Sequence, residues 1–262
     1  MIKVVDILKA LEKVAPVHLA ADYDNVGFIV GHKESPADKI IVALDITGDV
    51  IDEAIQTGAR LIVSHHPIIF GSRSTVTDCD VTGALVLKLI ENGISAICMH
   101  TNLDSAKGGV NDALAEALGI ATEGIVEPME DETVGGGRYG SLSGELSLDE
   151  FLGKVCHALD TDGVRYHDAK RPVLRVAVGG GSCGDYIKKA HLLGCDTVVT
   201  ADIKHNQFLE AKELQINAID AGHFATEDVV CPRICEIIKE SFPKAFVTIA
   251  KSDVSCTKFF TV

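Results

Sequence analysis

The chain has 262 residues, with 24 Lys plus Arg against 38 Asp plus Glu, a formal net charge of −14. No basic surplus is available to displace counterions from a phosphate backbone. Composition therefore excludes a nonspecific nucleic-acid binder, though not a small anion held by a metal or a helix N-terminus. The first stretch repeats Val5, Leu8, Leu11 and Val14 at helical spacing and carries Asp6, Lys9 and Glu12 within it. It predicts an amphipathic helix over 3–14, not a secretion signal. No uncharged apolar run reaches the roughly 18 residues of a membrane span. The eight cysteines are scattered, several inside apolar runs such as the one holding Cys98. That usage fits reduced, buried thiols and a cytoplasmic location. Cys231 and Cys235, at i and i+4, lack a second cysteine pair to complete a metal grip.

From the N-terminal helix onward, β-rich runs alternate with helical stretches. Strands are expected at 26–30, 40–46, 60–66 and 94–100, with helices at 49–58, 81–92 and 109–120. The order then returns: helix 148–159, strand 164–167, strand 173–178, helix 184–194, strand 196–202, helix 205–214, strand 216–223 and helix 226–241. Gly58 aligns with Gly194 at an offset of 136, and Ile97 with Ile219 at an offset of 122. The alternation predicts parallel sheets covered by helices. The repetition predicts two topologically similar α/β domains, 1–125 and 126–262, with a metal cleft between them. Their join is expected near Ile125–Gly137, where Pro128, an acidic run and three glycines cluster.

The candidate chemistry sits at strand ends, where ligands bind in parallel α/β sheets. Ser64-His65-His66-Pro67 follows an apolar strand, and Pro67 breaks the ladder there. Adjacent histidines on a regular strand would face opposite sides; at a strand end both can turn to one cleft. The next strand ends in His100-Thr101-Asn102-Leu103-Asp104, offering Asp104 as an oxygen ligand and His100 as a ligand or proton-transfer group. The matching end in the second half is Asp220-Ala221-Gly222-His223, followed by Glu227. His223 and Glu227, four apart, share a face if the chain is helical there. Imidazoles and carboxylates in this mixture suit zinc, manganese or iron. His65, His66, Asp104, His223 and Glu227 as a set suit two metals sharing a carboxylate better than one structural zinc. Two other motifs stand apart. Gly179–Gly184 fits G-x-G-x-x-G after a strand but lacks an acidic residue about 20 positions on, so it reads as a tight strand–helix turn. Asp22–Gly27 reads as a polar turn or as a cleft lip with Asp24 or Asn25 behind the ligands.

Asp22-Tyr23-Asp24-Asn25-Val26-Gly27, the His65-His66 pair, the His100–Asp104 segment and Gly222-His223…Glu227, in this order, resemble the Nif-three-like family, whose members are often labelled GTP cyclohydrolase I type 2 homologues. The resemblance covers essentially the whole chain. It implies that His65, His66, Asp104, His223 and Glu227 bind a dinuclear metal centre. It also implies two similar α/β domains and a ring-shaped homohexamer. The long middle insertion of some relatives is missing.

Two functional classes follow. One is a dinuclear metal-dependent hydrolase acting on a nucleotide or related heterocycle, by GTP ring opening with formate release or as a phosphatase, with His100 as proton shuttle. The other is a metal-binding oligomeric scaffold or metallochaperone without catalysis. The expected cofactors are two divalent metal ions per chain, and the expected partners are other copies of the chain and a small-molecule ligand.

Overall fold

The computed structural model describes residues 1–260. In chain order the elements are helix α1 (Val4–Val14), strands β1 (Gly27–Val30) and β2 (Lys39–Ala43), α2 (Gly48–Thr57), β3 (Leu61–Ser64), α3 (Val81–Glu91), β4 (Ser95–Cys98) and the short α4 (Thr101–Ser105). There follow α5 (Val110–Ala117), β5 (Ala121–Gly124), the two-residue strands β6 (Glu127–Pro128) and β7 (Gly135–Gly136), β8 (Arg138–Leu146) and α6 (Leu148–Ala158). Next come β9 (Arg165–His167), β10 (Val173–Val178), α7 (Tyr186–Leu192), β11 (Thr197–Thr200), α8 (His205–Leu214), β12 (Asn217–Asp220) and the short α9 (His223–Glu227). The last elements are α10 (Val230–Ser241) and β13 (Phe246–Ile249).

The chain divides into two compact units. The first comprises Met1–Ala106 and Val230–Val254, and the second Lys107–Val229 with the chain from Ser255. This corrects the expected boundary at 125/126 in two ways. Strand β5 pairs with β8, so the residues just before Ile125 already belong to the second sheet. Strand β13 pairs in parallel with β2, which returns the C-terminal segment to the first unit. The Gly, Pro and acidic residues near 125–137 mark the β6–β7 hairpin, not a domain join.

The first sheet has the order β1-β4-β3-β2-β13, and the second β5-β8-β10-β11-β12-β9. Both contain a run of three parallel strands, β2-β3-β4 or β10-β11-β12, with an antiparallel strand, β1 or β9, beside the third; β13 adds a fourth parallel strand to the first sheet. The register repeats too. Ile40 lies opposite Leu61 and Leu61 opposite Ser95, as Val176 lies opposite Thr197 and Thr197 opposite Asn217. The offsets of 136 and 122 read from the sequence therefore carry β3 onto β11 and β4 onto β12. The second offset also carries α4 onto α9. Two of the three inner strands of the first sheet, Leu61–Ser64 and Ser95–Cys98, are buried throughout, as expected for a sheet covered by helices.

Local chemistry sets the helix ends. The Thr47 hydroxyl accepts from Val50 N at 3.2 Å to start α2, and Gly58 closes it at φ 73°, a left-handed conformation that favours glycine. Helix α6 opens on a Ser147–Glu150 capping box. Helix α1 buries Val4, Ile7, Ala10 and Leu11, a stripe one position N-terminal to the expected Val5–Leu8 stripe for all but Leu11. The period is the expected one and the face is rotated. The single helix expected over 226–241 is two, α9 and α10, and the units separate between them. Cys231 and Cys235 are core residues of α10, and all eight cysteines are thiols, not disulfides.

Candidate metal centre

In the first unit, the site residues come from the levels just beyond the carboxyl ends of three parallel strands. Ala43 of β2, Ser64 of β3 and Cys98 of β4 lie side by side. The ladder continues past Ser64, with His65 N donating to Ala43 O at 3.1 Å and His66 N to Leu44 O at 2.9 Å. Two residues beyond the aligned Ala43 and Ser64 stand Asp45 and His66, and the His66 ring meets Asp45 Oδ1 through Nδ1 at 2.9 Å. One residue beyond Ser64 and Cys98 stand His65 and Met99, and His65 Nδ1 meets the Met99 carbonyl at 2.7 Å. His100, at the start of α4, directs Nδ1 to both oxygens of Asp24 at 2.9 Å.

These three contacts fix the imidazoles chemically. A carbonyl or carboxylate oxygen only accepts, so each Nδ1 carries the hydrogen and each neutral ring presents its lone pair at Nε2. That is how metal-ligating histidines are held: an oxygen acceptor behind the ring fixes tautomer and orientation. The ring centroids of His65, His66 and His100 lie 5.1, 5.2 and 5.5 Å apart. One ligand atom from each falls within 4.8 Å of the others. Asp104, on α4, places Oδ1 3.5 Å from His65 Nε2. Two donors held about 2.0–2.2 Å from a tetrahedral ion lie about 3.3–3.5 Å apart, so this pair has the spacing of two ligands on one ion.

Asp24 holds His100 and the start of α4. Besides His100, it accepts from Thr101 N at 3.0 Å, from the Thr101 hydroxyl and from Asn25 N at 2.8 Å. Its side chain is completely covered. Burial raises the carboxyl pKa, but the hydrogen bonds from His100 and Thr101 outweigh it and hold the group well below the usual carboxylate range. Within Asp22–Gly27, Asp24 thus stands behind His100, while Met99 and Asp45 stand behind His65 and His66. Cys98 is no competing ligand. Its Sγ donates to His65 O at 3.0 Å, and burial pushes its pKa well up, so the thiol stays protonated.

The second unit builds a similar pair. His223 and Glu227 lie on α9 after β12, and His223 Nε2 is 3.0 Å from Glu227 Oε2. His223 Nδ1 meets Asp202 Oδ2 at 2.7 Å, and Ser182 Oγ donates to the same oxygen. Burial raises the Asp202 pKa, but those two hydrogen bonds prevail and leave it lowered. The imidazole is again clamped at Nδ1 by an acceptor and faces a carboxylate oxygen at Nε2. A separation of 3.0 Å matches adjacent donors on an octahedral ion of about 2.1 Å bond length.

The Gly179–Gly184 loop explains how Glu227 is buried. Gly181 has φ 64°, and a Cβ there would stand 2.1 Å from Glu227 Oε1. At Gly180 a Cβ would stand 3.2 Å from Glu227 Cγ and 2.7 Å from Val110 Cγ1. Gly181 N donates to Thr226 Oγ1 at 3.0 Å and Gly180 N to Asn111 Oδ1 at 3.0 Å. The glycines admit a carboxylate and its helix in close approach, as a tight strand–helix turn does, and their N–H groups are spent on side chains. The dinucleotide fingerprint is a coincidence of spacing.

Within the first unit the structure thus brings together His65, His66, His100 and Asp104, and within the second His223 and Glu227. Sequence reasoning did not name Asp45, Asp202 or the Met99 carbonyl as the groups behind the rings. Strand register would have found the first and the last, because each stands level with its histidine on the neighbouring parallel strand.

The sequence model of the Duf34/NIF3 (NGG1p interacting factor 3) family matches residues 2–257. A Clostridium perfringens protein named GTP cyclohydrolase 1 type 2 homolog is 38% identical over 242 residues, covering 91% of this chain and 92% of that one. A Streptomyces coelicolor protein of the same name is 33% identical over 85% of this chain and 80% of its own. Among solved structures, a Bacillus cereus protein related to NIF3 superposes with a TM-score of 0.92 at 25% identity, covering 100% of this chain and 99% of that one. Reduced HcgD from Methanocaldococcus jannaschii superposes with a TM-score of 0.81 at 28% identity, covering 95% and 98%. Family model, relatives and fold agree: the chain belongs to the Duf34/NIF3 family.

Proposed function

We propose that the protein binds two divalent metal ions per chain and is a metal-dependent hydrolase of a nucleotide or related heterocycle. Its ligands are His65, His66 and Asp104 from the first unit and His223 and Glu227 from the second. The observation that carries this reading is the repeated donor pair. In each unit an imidazole held at Nδ1 by an oxygen acceptor turns Nε2 toward a carboxylate oxygen, at 3.5 Å for His65–Asp104 and 3.0 Å for His223–Glu227. Zinc, manganese and iron accept this donor set. When bound, such ions supply Lewis acidity and make water nucleophilic near neutral pH.

The protein's own part is orientation and proton transfer. His100, held at Nδ1 by Asp24, keeps Nε2 to exchange a proton with a reacting group, and imidazole is suited to that relay. The name of the relatives supports GTP ring opening with formate release as the first reaction to test. The test measures metal content together with formate release from GTP and phosphate release from a panel of nucleotides. Bound metal with turnover of either kind supports the hydrolase. Bound metal without turnover of any nucleotide favours a metal-binding scaffold or chaperone instead.

The proposal extends to assembly and location. A homo-oligomer of six chains is the expected state, and light scattering that returns a monomer mass of 27.8 kDa would contradict it. Among the described residues no helix is long and apolar enough to cross a membrane. Eight cysteines kept as thiols fit the reducing cytoplasm.

A further inference from the structure

Two of the most exposed aromatic side chains of the first unit stand together beside His100. Tyr23 is 69% and Phe70 64% exposed. Their ring centroids are 6.4 Å apart at an interplanar angle of 58°, and the Phe70 ring lies 6.3 Å from the His100 ring at 78°. Lone exposed apolar residues are ordinary on a protein surface. A touching pair of rings against a candidate reacting group is a different matter, and the backbone beneath it is fixed. Asn25 Nδ2 donates to Ile69 O at 2.8 Å, tying the Tyr23 loop to the Phe70 loop. Asp24, next to Tyr23, is anchored to His100 and Thr101. The rings are therefore carried on two loops braced against each other and against His100.

We infer that Tyr23 and Phe70 form a stacking subsite for a flat heterocycle of nucleobase size, which sets the substrate class of the site that includes His100. This rests on the reading of His100 as part of a reactive centre. Aromatic faces give a planar ring a sequence-tolerant, low-entropy contact, and base–aromatic stacking contributes substantially to binding each base. A ring lying on Phe70 is also in reach of His100, whereas an aliphatic or purely ionic ligand gains nothing from the pair.

The test uses the whole protein, manganese-loaded, with guanosine, guanosine monophosphate and ribose 5-phosphate as probes. The chain contains no Trp, so Tyr23→Trp installs a single fluorescent reporter in the pair. Guanosine and its monophosphate should quench the indole, and ribose 5-phosphate should not. Tyr23→Leu and Phe70→Leu keep apolar bulk but remove the π face; each should weaken guanosine about ten-fold or more while metal content, circular dichroism and ribose 5-phosphate binding stay unchanged. Guanosine binding equal to wild type in both variants overturns the inference, as does wild-type protein that fails to bind guanosine at millimolar concentration. A change of oligomer mass in the variants without a change in guanosine binding also overturns it, because the pair is then a contact between copies. Guanosine weakened by the variants in a protein that holds no metal leaves the stacking subsite standing and removes the metal reading.

Discussion

Replacing Asp24 by Ala removes an acceptor that serves His100 Nδ1, Thr101 N, the Thr101 hydroxyl and Asn25 N from a fully covered position. The hydroxyl can turn elsewhere; the three N–H groups cannot. A buried donor left without its acceptor costs about 1–3 kcal/mol, and such costs do not add fully. Breaking a buried charge-assisted set by deleting one partner costs about 3–5 kcal/mol, and that is the expected destabilisation. At about 2–4 °C per kcal/mol for a chain of this size, calorimetry should show the melting temperature fall by about 6–20 °C. Asp24→Asn, which keeps one oxygen, should lose about 1–3 kcal/mol. The sign of the pH dependence follows from the lowered carboxyl pKa. The stabilisation is complete above the unfolded value of about 3.9 and is lost as pH falls through the folded value. The gap between wild type and Asp24→Asn should therefore hold from neutrality to about pH 5 and narrow below about pH 4. An Ala variant melting within about 1 °C of wild type, or a gap that stays constant into strong acid, would show that Asp24 does not anchor His100 and Thr101 in this way.

Three further outcomes are expected. Gly181→Ala places a methyl 2.1 Å from Glu227 Oε1 at a position with φ 64°. It should cost about 1–2 kcal/mol of backbone strain and weaken metal retention by displacing the carboxylate, as isothermal titration with manganese would show. Asp202→Ala removes the acceptor behind His223 and should lower metal affinity about 10–100-fold; unchanged affinity would mean that the ring needs no partner to hold its orientation. His100→Asn should keep both metals and lose on the order of 10²–10⁴ in any hydrolytic rate, whereas loss of a metal would make His100 a ligand.

Much of this arrangement is legible in the sequence because it depends on local pattern. The helical spacing in 3–14, the apolar runs ending at Ser64 and Cys98, and the two offsets already define a repeated α/β plan. The site residues are visible because histidine and carboxylate at strand ends are uncommon as packing groups. Other features depend on long-range pairing. Strand β8, Arg138–Leu146, contains Gly140, Ser141, Ser143 and Gly144, residues that favour strands poorly, and is not among the strands expected from the sequence. It is a strand because β5 and β10 flank it, and a Cβ at Gly140 would stand 2.0 Å from Ala121 O. Strand β13 lies in the first unit only through its pairing with β2, a partner about 200 residues earlier. Asp45 and Asp202 gave no motif, since each meets its histidine across neighbouring chain segments, 21 residues apart in sequence in both cases.

The central claim is that the two donor pairs hold metal. Elemental analysis of gently purified protein, repeated after manganese or zinc reconstitution and removal of excess ion, tests it most directly. About two equivalents per chain are expected in wild type, with a clear reduction in His65→Ala and again in Glu227→Gln, each still folded by circular dichroism. Wild-type protein that holds no metal after reconstitution, or variants that hold as much as wild type, would contradict it.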